Sequence, residues 1–445
     1  MRDLTAEVLT FPLRTAAGIV CRSMRVPPRA SSCPQGAAGR CRARRPTMDS
    51  RHGRNSAVWA GVRDFVWRGL VDWVIGGLAQ GALDPWSTVG SMMEGVLHWP
   101  QIIRLAVPGR ASRASWAEFY NKADAFRWFA TAGTTLGLSG DGAADLGTAL
   151  RGVEQMSAYQ GLWTTEGLGY HQAAALRDGG RSRSLLAGRV GDALPLRSLI
   201  PLHTGMGLAF SGGCLEGCTP ESPGADVRRQ LERFVTLCHD NARGDYWAVS
   251  LEALGLSARL LRPRLVPLLD GQLRQMGEDL VHRFWHGVGR GLYFGPATAL
   301  PCGNIIWPSV RQAYREPPCE DDRRNALAGL GLAATLVNVR HPQVLEGYLE
   351  SDGGRVSETD AFASGIDAAL RIWSCWAPVD GATESLVRHR PATALADRWQ
   401  RLVSDPVREA LRYGQEVAGK DEWPGGLFCY RPRRERTHAG GSGRN

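Results

Sequence analysis

The segment EDLVHRFWHGVGRGLYF, residues 278–294, shows most clearly which fold this sequence encodes. Apolar residues recur along it at helical steps, namely at Val281, Phe284, Val288 and Leu292. This period predicts an amphipathic helix. Three glycines interrupt the pattern, although a glycine inside a helix costs about 1 kcal/mol relative to alanine. Their repeated use indicates that the helix backbone closely approaches another helix or a bound molecule.

Short motifs that contain glycine or alanine within a helical pattern, which we call glycine marks, recur in other helical segments of the chain. These segments are EGLGYH at Glu166, HTGMGLAF at His203, EALGL at Glu252, HGVGRGLYF at His286 and AGLGLAA at Ala328. Aligned on Gly167, Gly205, Ala253, Gly287 and Gly329, they are separated by 38, 48, 34 and 42 residues. These gaps are typical of helical-hairpin repeats, but they are too irregular for a consensus array. Because strand signals are sparse, the sequence predicts an all-α fold, either an irregular helical-hairpin array or a helical bundle with glycine-marked helices.

The chain is predicted to contain five segments. They are a disordered extension or misassigned start (1–47, with Met48 as the alternative start), a Trp-rich N-terminal helical region (48–130), a helical core with repeat-like glycine-marked segments (131–378), C-terminal helices (379–430) and a disordered basic tail (431–445). The formal net charge is +9, to which the first segment contributes +7 and the last +4, so that 9 − 7 − 4 leaves about −2 for the body. A near-neutral body predicts no nucleic-acid partner, because such partners need basic charge on a folded face.

The composition also limits the possible catalytic residues, the state of the cysteines and the location of the protein. Of the 53 basic residues only Lys122 and Lys420 are lysines, so lysine catalysis has few candidates. Ten scattered cysteines indicate reduced thiols rather than a disulfide framework. No run of 18 apolar residues occurs, so we expect no integral membrane span and a cytoplasmic protein.

Glu166 is the most informative polar residue of the sequence. It follows helical steps of three and four together with Met156, Tyr159, Trp163 and Tyr170. A carboxyl group inside such an aromatic stripe would leave water on folding, which raises its pKa and suits a general acid or base. The alternative is a buried glutamate that only hydrogen-bonds a tyrosine or a backbone group.

Three further polar residues lie at the edges of glycine marks: His203, Glu252 and His286. If the marked helices converge, these residues and Glu166 share one cavity. The row Glu278, His282, His286 and Arg290 has helical spacing of four, and its glutamate and histidines are a start on a metal site. The alternative is a solvated helix face. A divalent metal is therefore a cofactor in only one of the hypotheses below, and the leading one needs none.

These segments, in this order, resemble a poorly characterised family of helical proteins encoded in enediyne antibiotic gene clusters of actinobacteria. The likeness covers roughly residues 130–375 and rests on EGLGYH, GMGLAF, DYWAVSLEALGL, HGVGRGLYF and GLGLA. The family-like positions are Glu166, Gly207, Asp245, Gly287, Gly289, Arg290, Phe294 and Gly331. The resemblance implies secondary metabolism and an extended, apolar, polyunsaturated substrate.

The leading functional hypothesis is therefore an enzyme of antibiotic or other natural-product biosynthesis. It would bind a polyene, polyketide or isoprenoid chain and promote proton-coupled cyclisation or isomerisation, as a lyase-like cyclase or isomerase. The candidate catalytic residues are Glu166, His203, Asp245, Glu252 and His286. The candidate substrate-binding residues are Trp163, Tyr170, Trp247, Trp285, Arg290 and Tyr293. A polyketide synthase or carrier protein is the candidate protein partner.

Two alternatives belong to other classes of protein. One is a metal-dependent oxidative tailoring enzyme that uses His282, His286 and Glu278. The other is a non-catalytic helical-repeat scaffold for a biosynthetic partner. A deep apolar cavity edged by Glu166 and His286 would favour an enzyme, whereas a solid core with a concave polar face would favour the scaffold.

Overall fold

A computed structural model of the chain divides into two compact units, Met1–Met93 and Glu94–Asn445. The structure describes residues 110–135, 146–178, 184–295, 306–351, 359–377, 381–417 and 426–430, all in the second unit. The predicted N-terminal extension, most of the Trp-rich region and the predicted basic tail lie outside the described residues. The other predicted segment boundaries stay predictions, and the one between residues 130 and 131 falls inside the first described helix.

Helices and no strands make up the regular structure of the described residues, which confirms the predicted all-α fold. Seven helices form a central series: α1 (Arg110–Thr135), α3 (Ala158–Asp178), α5 (Leu196–Leu215), α7 (Trp247–Leu261), α9 (Glu278–Phe294), α11 (Glu320–Asn338) and α13 (Asp360–Trp376). Other helices lie between them along the chain: α2 (Leu146–Val153), α4 (Gly188–Asp192), α6 (Gly224–Asn241), α8 (Val266–Met276), α10 (Ile306–Arg315) and α12 (Pro342–Ser351). The chain continues through α14 (Gly381–Arg388), α15 (Ala396–Trp399), a π-helical turn (Gln400–Ser404) and α16 (Asp405–Val417).

Consecutive helices of the central series pack backbone against backbone at their glycines. A β-carbon added at Gly287 of α9 would collide with the carbonyl oxygen of Glu252 on α7. The contact is reciprocal, because a β-carbon at Gly255 of α7 would collide with the carbonyl oxygen of Phe284 on α9. The same arrangement joins the other neighbours in the series, through Gly167, Gly169, Gly205, Gly207, Gly289, Gly329, Gly331 and Gly365. The glycine marks in the sequence therefore record close helix–helix approach.

The last two helices of the central series contact the first turn of α3. The indole of Trp376, at the end of α13, donates to the carbonyl oxygen of Ala158 in the first turn of α3 at 2.7 Å. The hydroxyl of Tyr159, also in that turn, donates to the carbonyl oxygen of Val337 near the end of α11 at 3.0 Å. Because α3 contacts both α5 and the ends of α11 and α13, the series surrounds an interior.

None of the described helices is both long and apolar enough to cross a bilayer. A half-open cleft of about 290 Å³ lies where α3, α5 and α13 meet, lined by Met156, Ala158, Gly161, Pro195, Arg197 and Trp376 among others. The exposed ion pair of Arg197 with Glu154, 2.5 Å long, lies at this cleft. The candidate catalytic residues are not part of its lining.

The glycine contacts predict opposite effects for two alanine substitutions. Gly287→Ala should destabilise the protein by about 1–3 kcal/mol or more, since overpacking forces α7 and α9 apart. Gly271→Ala is the matched control, because Gly271 is exposed in α8 with open space around a β-carbon. It should stabilise by about 0.5–1 kcal/mol through helix propensity. Urea denaturation of both variants tests this, and equal stabilities would contradict the close packing of α7 and α9.

Candidate functional site

Four polar side chains from three central helices meet in the interior, and we call them the interior cluster: Glu166 of α3, Glu252 of α7, and His286 and Arg290 of α9. Arg290 donates through Nη1 to Oε2 of Glu252 at 2.6 Å. Nδ1 of His286 lies 2.7 Å from Oε1 of Glu252. Nη2 of Arg290 lies 3.7 Å from Oε1 of Glu166. Because α3 and α9 are not neighbours in the series, this last contact crosses the interior.

The sequence places these groups together through spacing and close packing. His286 and Arg290 are four residues apart, so they project from one face of α9. Gly287 lies against the backbone of Glu252, which brings the start of that side chain to the surface of α9. The two features together let one glutamate bond both an imidazole and a guanidinium.

Glu252 is held as a carboxylate inside the protein. Burial alone would raise the pKa of Glu252, but the charge of Arg290 and the hydrogen bond from His286 outweigh burial and lower this pKa below its ordinary value. An ionised carboxylate only accepts hydrogen bonds, so Nδ1 of His286 must carry the proton that it shares with Glu252. This fixes the tautomer of a neutral His286 and leaves its Nε2 as a proton acceptor.

Glu166 is the less restrained carboxyl group of the cluster. Burial raises the pKa of Glu166 to about 7, the charge of Arg290 opposes this rise, and the nearby Glu252 carboxylate adds to it. The contact with Arg290 is long, and no hydrogen bond from another described residue reaches the Glu166 oxygens. The two carboxyl groups therefore differ: Glu252 stays ionised and fixed, whereas Glu166 gains and loses a proton near neutral pH.

A short segment near the C-terminus packs against the His286 end of the cluster. The ring of Phe428 meets the His286 ring edge-on, with 6.1 Å between the centroids, and is almost fully buried. The backbone N–H of Tyr430 donates to Oδ1 of Asn325 on α11 at 2.7 Å. No sequence pattern indicated that a segment more than 100 residues downstream would cover this histidine.

Two of the predicted catalytic residues lie outside the interior cluster. Both ring nitrogens of His203 have backbone partners, Nδ1 at 2.7 Å from the carbonyl oxygen of Leu199 and Nε2 accepting from the N–H of Arg243 at 3.1 Å. Burial lowers the pKa of His203 to about 4, so it stays neutral at physiological pH. Asp245 is exposed in the 3₁₀ turn Gly244–Tyr246. The expectation that His203 shares a cavity with the other three residues is therefore not met.

The predicted substrate-binding aromatic residues are dispersed. Trp163 is buried one turn before Glu166 on α3, and half-buried Tyr170 lies one turn after it. Trp285 is buried, but its indole donates to Oδ1 of Asp270 at 2.8 Å. Trp247 stacks on His239, with 4.7 Å between their centroids. Three of the predicted binding residues are therefore near Glu166. Arg290 contacts its carboxyl group, and Trp163 and Tyr170 lie one turn before and after Glu166 on α3.

Tyr293 belongs to a second buried cluster that the sequence analysis did not predict. Its hydroxyl accepts from Nδ2 of Asn338 at 2.7 Å and lies 3.3 Å from the hydroxyl of Tyr348. The ammonium group of Lys122 lies 3.9 Å from the centre of the Tyr293 ring and 3.2 Å from Glu118. Burial lowers the pKa of Lys122, and Glu118 opposes this shift. In the sequence, the spacing of four residues between Glu118 and Lys122 was the pattern that could have indicated this ion pair.

The predicted row of metal ligands does not converge. Glu278 is exposed, His282 is half-buried, and His286 is fully buried with Nδ1 bonded to Glu252. Across the part of the chain that the structure describes, no three His, Cys, Asp or Glu side chains form a group that could hold a metal ion. These three side chains therefore do not fit the ligand set that the oxidative alternative requires.

Comparison with known proteins gave no match to any family model, curated protein or solved structure. The resemblance to proteins of enediyne gene clusters therefore stays a prediction, and the candidate site rests on its own geometry.

The raised pKa of Glu166 predicts how stability depends on pH. Between its ordinary value of 4.5 and about 7, the folded chain keeps a proton on Glu166 that the unfolded chain has lost. Raising the pH through this window therefore favours unfolding, by up to about 1.4 kcal/mol per pH unit. Glu166→Gln lacks this titration, so the stability difference between parent and variant should change with pH. Denaturant unfolding at several pH values measures it, and parallel curves would contradict a raised pKa.

Proposed function

We propose that this protein is a biosynthetic enzyme of secondary metabolism that binds an extended apolar polyene, polyketide or isoprenoid chain and promotes its proton-coupled cyclisation or isomerisation. Glu166 is the general acid or base of this proposal. The observation that carries it is a buried carboxyl group with a pKa of about 7 and no hydrogen bond from another described residue. The secondary-metabolism setting comes from the resemblance over residues 130–375.

A pKa near 7 suits a group that must both give and take a proton. General acid–base catalysis is most efficient when the pKa of the group lies near the working pH, and it contributes typically 10²–10⁴-fold. A glutamate fully committed to an ion pair, such as Glu252, stays ionised and cannot act as an acid. The contrast between Glu166 and Glu252 supports a division of labour in which Glu252 orients and Glu166 transfers the proton.

His286 offers a second site for the proton. Its Nδ1 is held by the Glu252 carboxylate, as in other carboxylate–histidine pairs, where the carboxylate fixes the tautomer and steadies the imidazolium that forms. Glu166 approaches Arg290 from α3, whereas His286 approaches Glu252 from α9, so the cluster holds two proton acceptors on different helices. Cyclisation and isomerisation both need paired proton removal and delivery.

The surroundings of the cluster suit an apolar substrate. Glu252 and His286 are fully buried, and Trp163, one turn before Glu166, is also buried. Exclusion of water strengthens electrostatic interactions within a site and protects reactive intermediates from hydrolysis. Under this proposal the protein works in the cytoplasm, and a polyketide synthase or carrier protein supplies the chain.

The experiment is complementation of a deletion strain, read by metabolite profiling. Glu166→Gln should be at least as stable as the parent at pH 7, because it lacks the titration that destabilises the parent, but it should fail to restore the product, because glutamine keeps the shape and cannot exchange the proton. The matched control is Glu216→Gln, since Glu216 is exposed just after α5 and should tolerate the same change. Full product from Glu166→Gln would remove Glu166 from the chemistry and favour the scaffold alternative.

A further inference from the structure

The interior cluster leaves two buried nitrogen atoms without a hydrogen-bond partner in the described residues: Nε of Arg290 and Nε2 of His286. A guanidinium Nε–H is purely a donor. Leaving a buried donor unsatisfied costs about 1–3 kcal/mol. The Arg290 donor thus requires an acceptor that the described residues do not provide.

Glu166 and Arg290 are the less completely buried pair of the cluster. Their side chains are 8% and 4% exposed, whereas those of Glu252 and His286 are 0% and 1% exposed. Because Glu166 lies 3.7 Å from the Arg290 guanidinium, a ligand that accepts from Arg290 would lie close to the Glu166 carboxyl.

Charge decides which kind of acceptor fits Arg290. Its positive charge is already balanced by Glu252 at 2.6 Å, and Glu166 lies 3.7 Å away on the other side. An anionic ligand would add a further negative charge to a buried site beside two carboxyl groups, which is costly. A pure hydrocarbon would leave the donor unsatisfied. A neutral oxygen acceptor satisfies the donor without adding charge.

We propose that the substrate of this site carries a carbonyl group whose oxygen accepts a hydrogen bond from Arg290, and that Glu166 removes a proton from the carbon beside it. The inference rests on the proposed function and names its substrate class. It also gives Arg290 a role as the group that stabilises charge on the substrate oxygen.

The step is balanced without an oxidant or a reductant. The Glu166 carboxylate takes the proton, the C–H bond breaks, and its electron pair moves to form a C=C bond as the carbonyl becomes an enolate. The enolate oxygen is held by the Arg290 guanidinium, a preorganised donor of the kind that stabilises developing negative charge. Protonated Glu166 then returns the proton to the same carbon, or to a further carbon of a conjugated chain, which shifts the double bond.

The first arm of the test compares binding of three probes of similar size to the purified full chain by calorimetry. Acetophenone has the neutral carbonyl, ethylbenzene has no acceptor, and benzoate has a negative charge. We expect acetophenone to bind at least tenfold more tightly than either of the others. Equal binding of acetophenone and ethylbenzene would show that water alone satisfies Arg290 and would overturn the inference.

The second arm measures exchange of the acetophenone methyl protons for deuterium in D₂O by NMR. The parent protein and Glu216→Gln should accelerate this exchange, and Glu166→Gln should reduce the acceleration by at least about 100-fold. Arg290→Lys should weaken acetophenone binding while leaving ethylbenzene binding unchanged, and this binding readout holds even if the variant is less active. If Arg290→Lys does not fold, Glu166→Gln alone decides the exchange arm.

The outcomes separate the two proposals. Absence of both carbonyl preference and exchange in the parent protein overturns the carbonyl inference, and loss of product in the Glu166→Gln strain would still support proton transfer on another substrate. Exchange that persists in Glu166→Gln overturns the role of Glu166 in both.

Discussion

The direct contact between helix backbones at glycine is the constraint on which the rest of this structure depends. Where Gly287 meets the carbonyl oxygen of Glu252, no side chain separates α7 from α9. The same contact repeats between the other neighbours of the central series. Close approach keeps the surrounded interior narrow, so that the side chains of α3, α7 and α9 reach one another across it. The contact at Gly287 brings Glu252 to α9, where it bonds both His286 and Arg290.

The narrow interior has an electrostatic consequence. Glu252 and Arg290 balance each other at 2.6 Å, and a buried pair of this kind is costly to break, by about 3–5 kcal/mol when one partner is removed. Burial is the main reason why Glu166 keeps its proton to about pH 7 although a guanidinium lies 3.7 Å away. The charge of Arg290 lowers the pKa of Glu166, but the nearby Glu252 carboxylate partly offsets this effect. The charges of the Glu252–Arg290 ion pair and the pKa of Glu166 are therefore coupled.

Much of the fold could be predicted from the sequence, because helical period and glycine marks are local signals. The glycines record contacts made by the backbone itself, so they identify packing surfaces without an alignment. The candidate site was harder to predict than the fold, because helical period and glycine marks do not specify which helices face one another. Glu252 contacts His286, and Arg290 lies between Glu252 and Glu166, but His203 carries a similar mark and is bonded to backbone groups instead. Phe428 and Asn338 depend on long-range contacts that no local pattern reports.

His203 and His286 differ in their hydrogen-bond partners, although both are buried. Both are fully buried and both lie beside a helix glycine. The two nitrogens of His203 are satisfied by backbone groups, so a proton added at Nε2 would break the hydrogen bond that joins α5 to Arg243, between α6 and α7. Nε2 of His286 has no partner in the described residues, and its other nitrogen is held by an ionised carboxylate that would stabilise an imidazolium. The two carboxyl groups differ in the same way. Glu252 is bonded to His286 and Arg290, whereas Glu166 has a pKa of about 7 and can exchange a proton near neutral pH. What distinguishes the interior cluster is therefore a combination: the Glu166 carboxyl and Nε2 of His286, both able to accept a proton, lie around one Glu252–Arg290 ion pair, and this combination supports the proposed proton transfer.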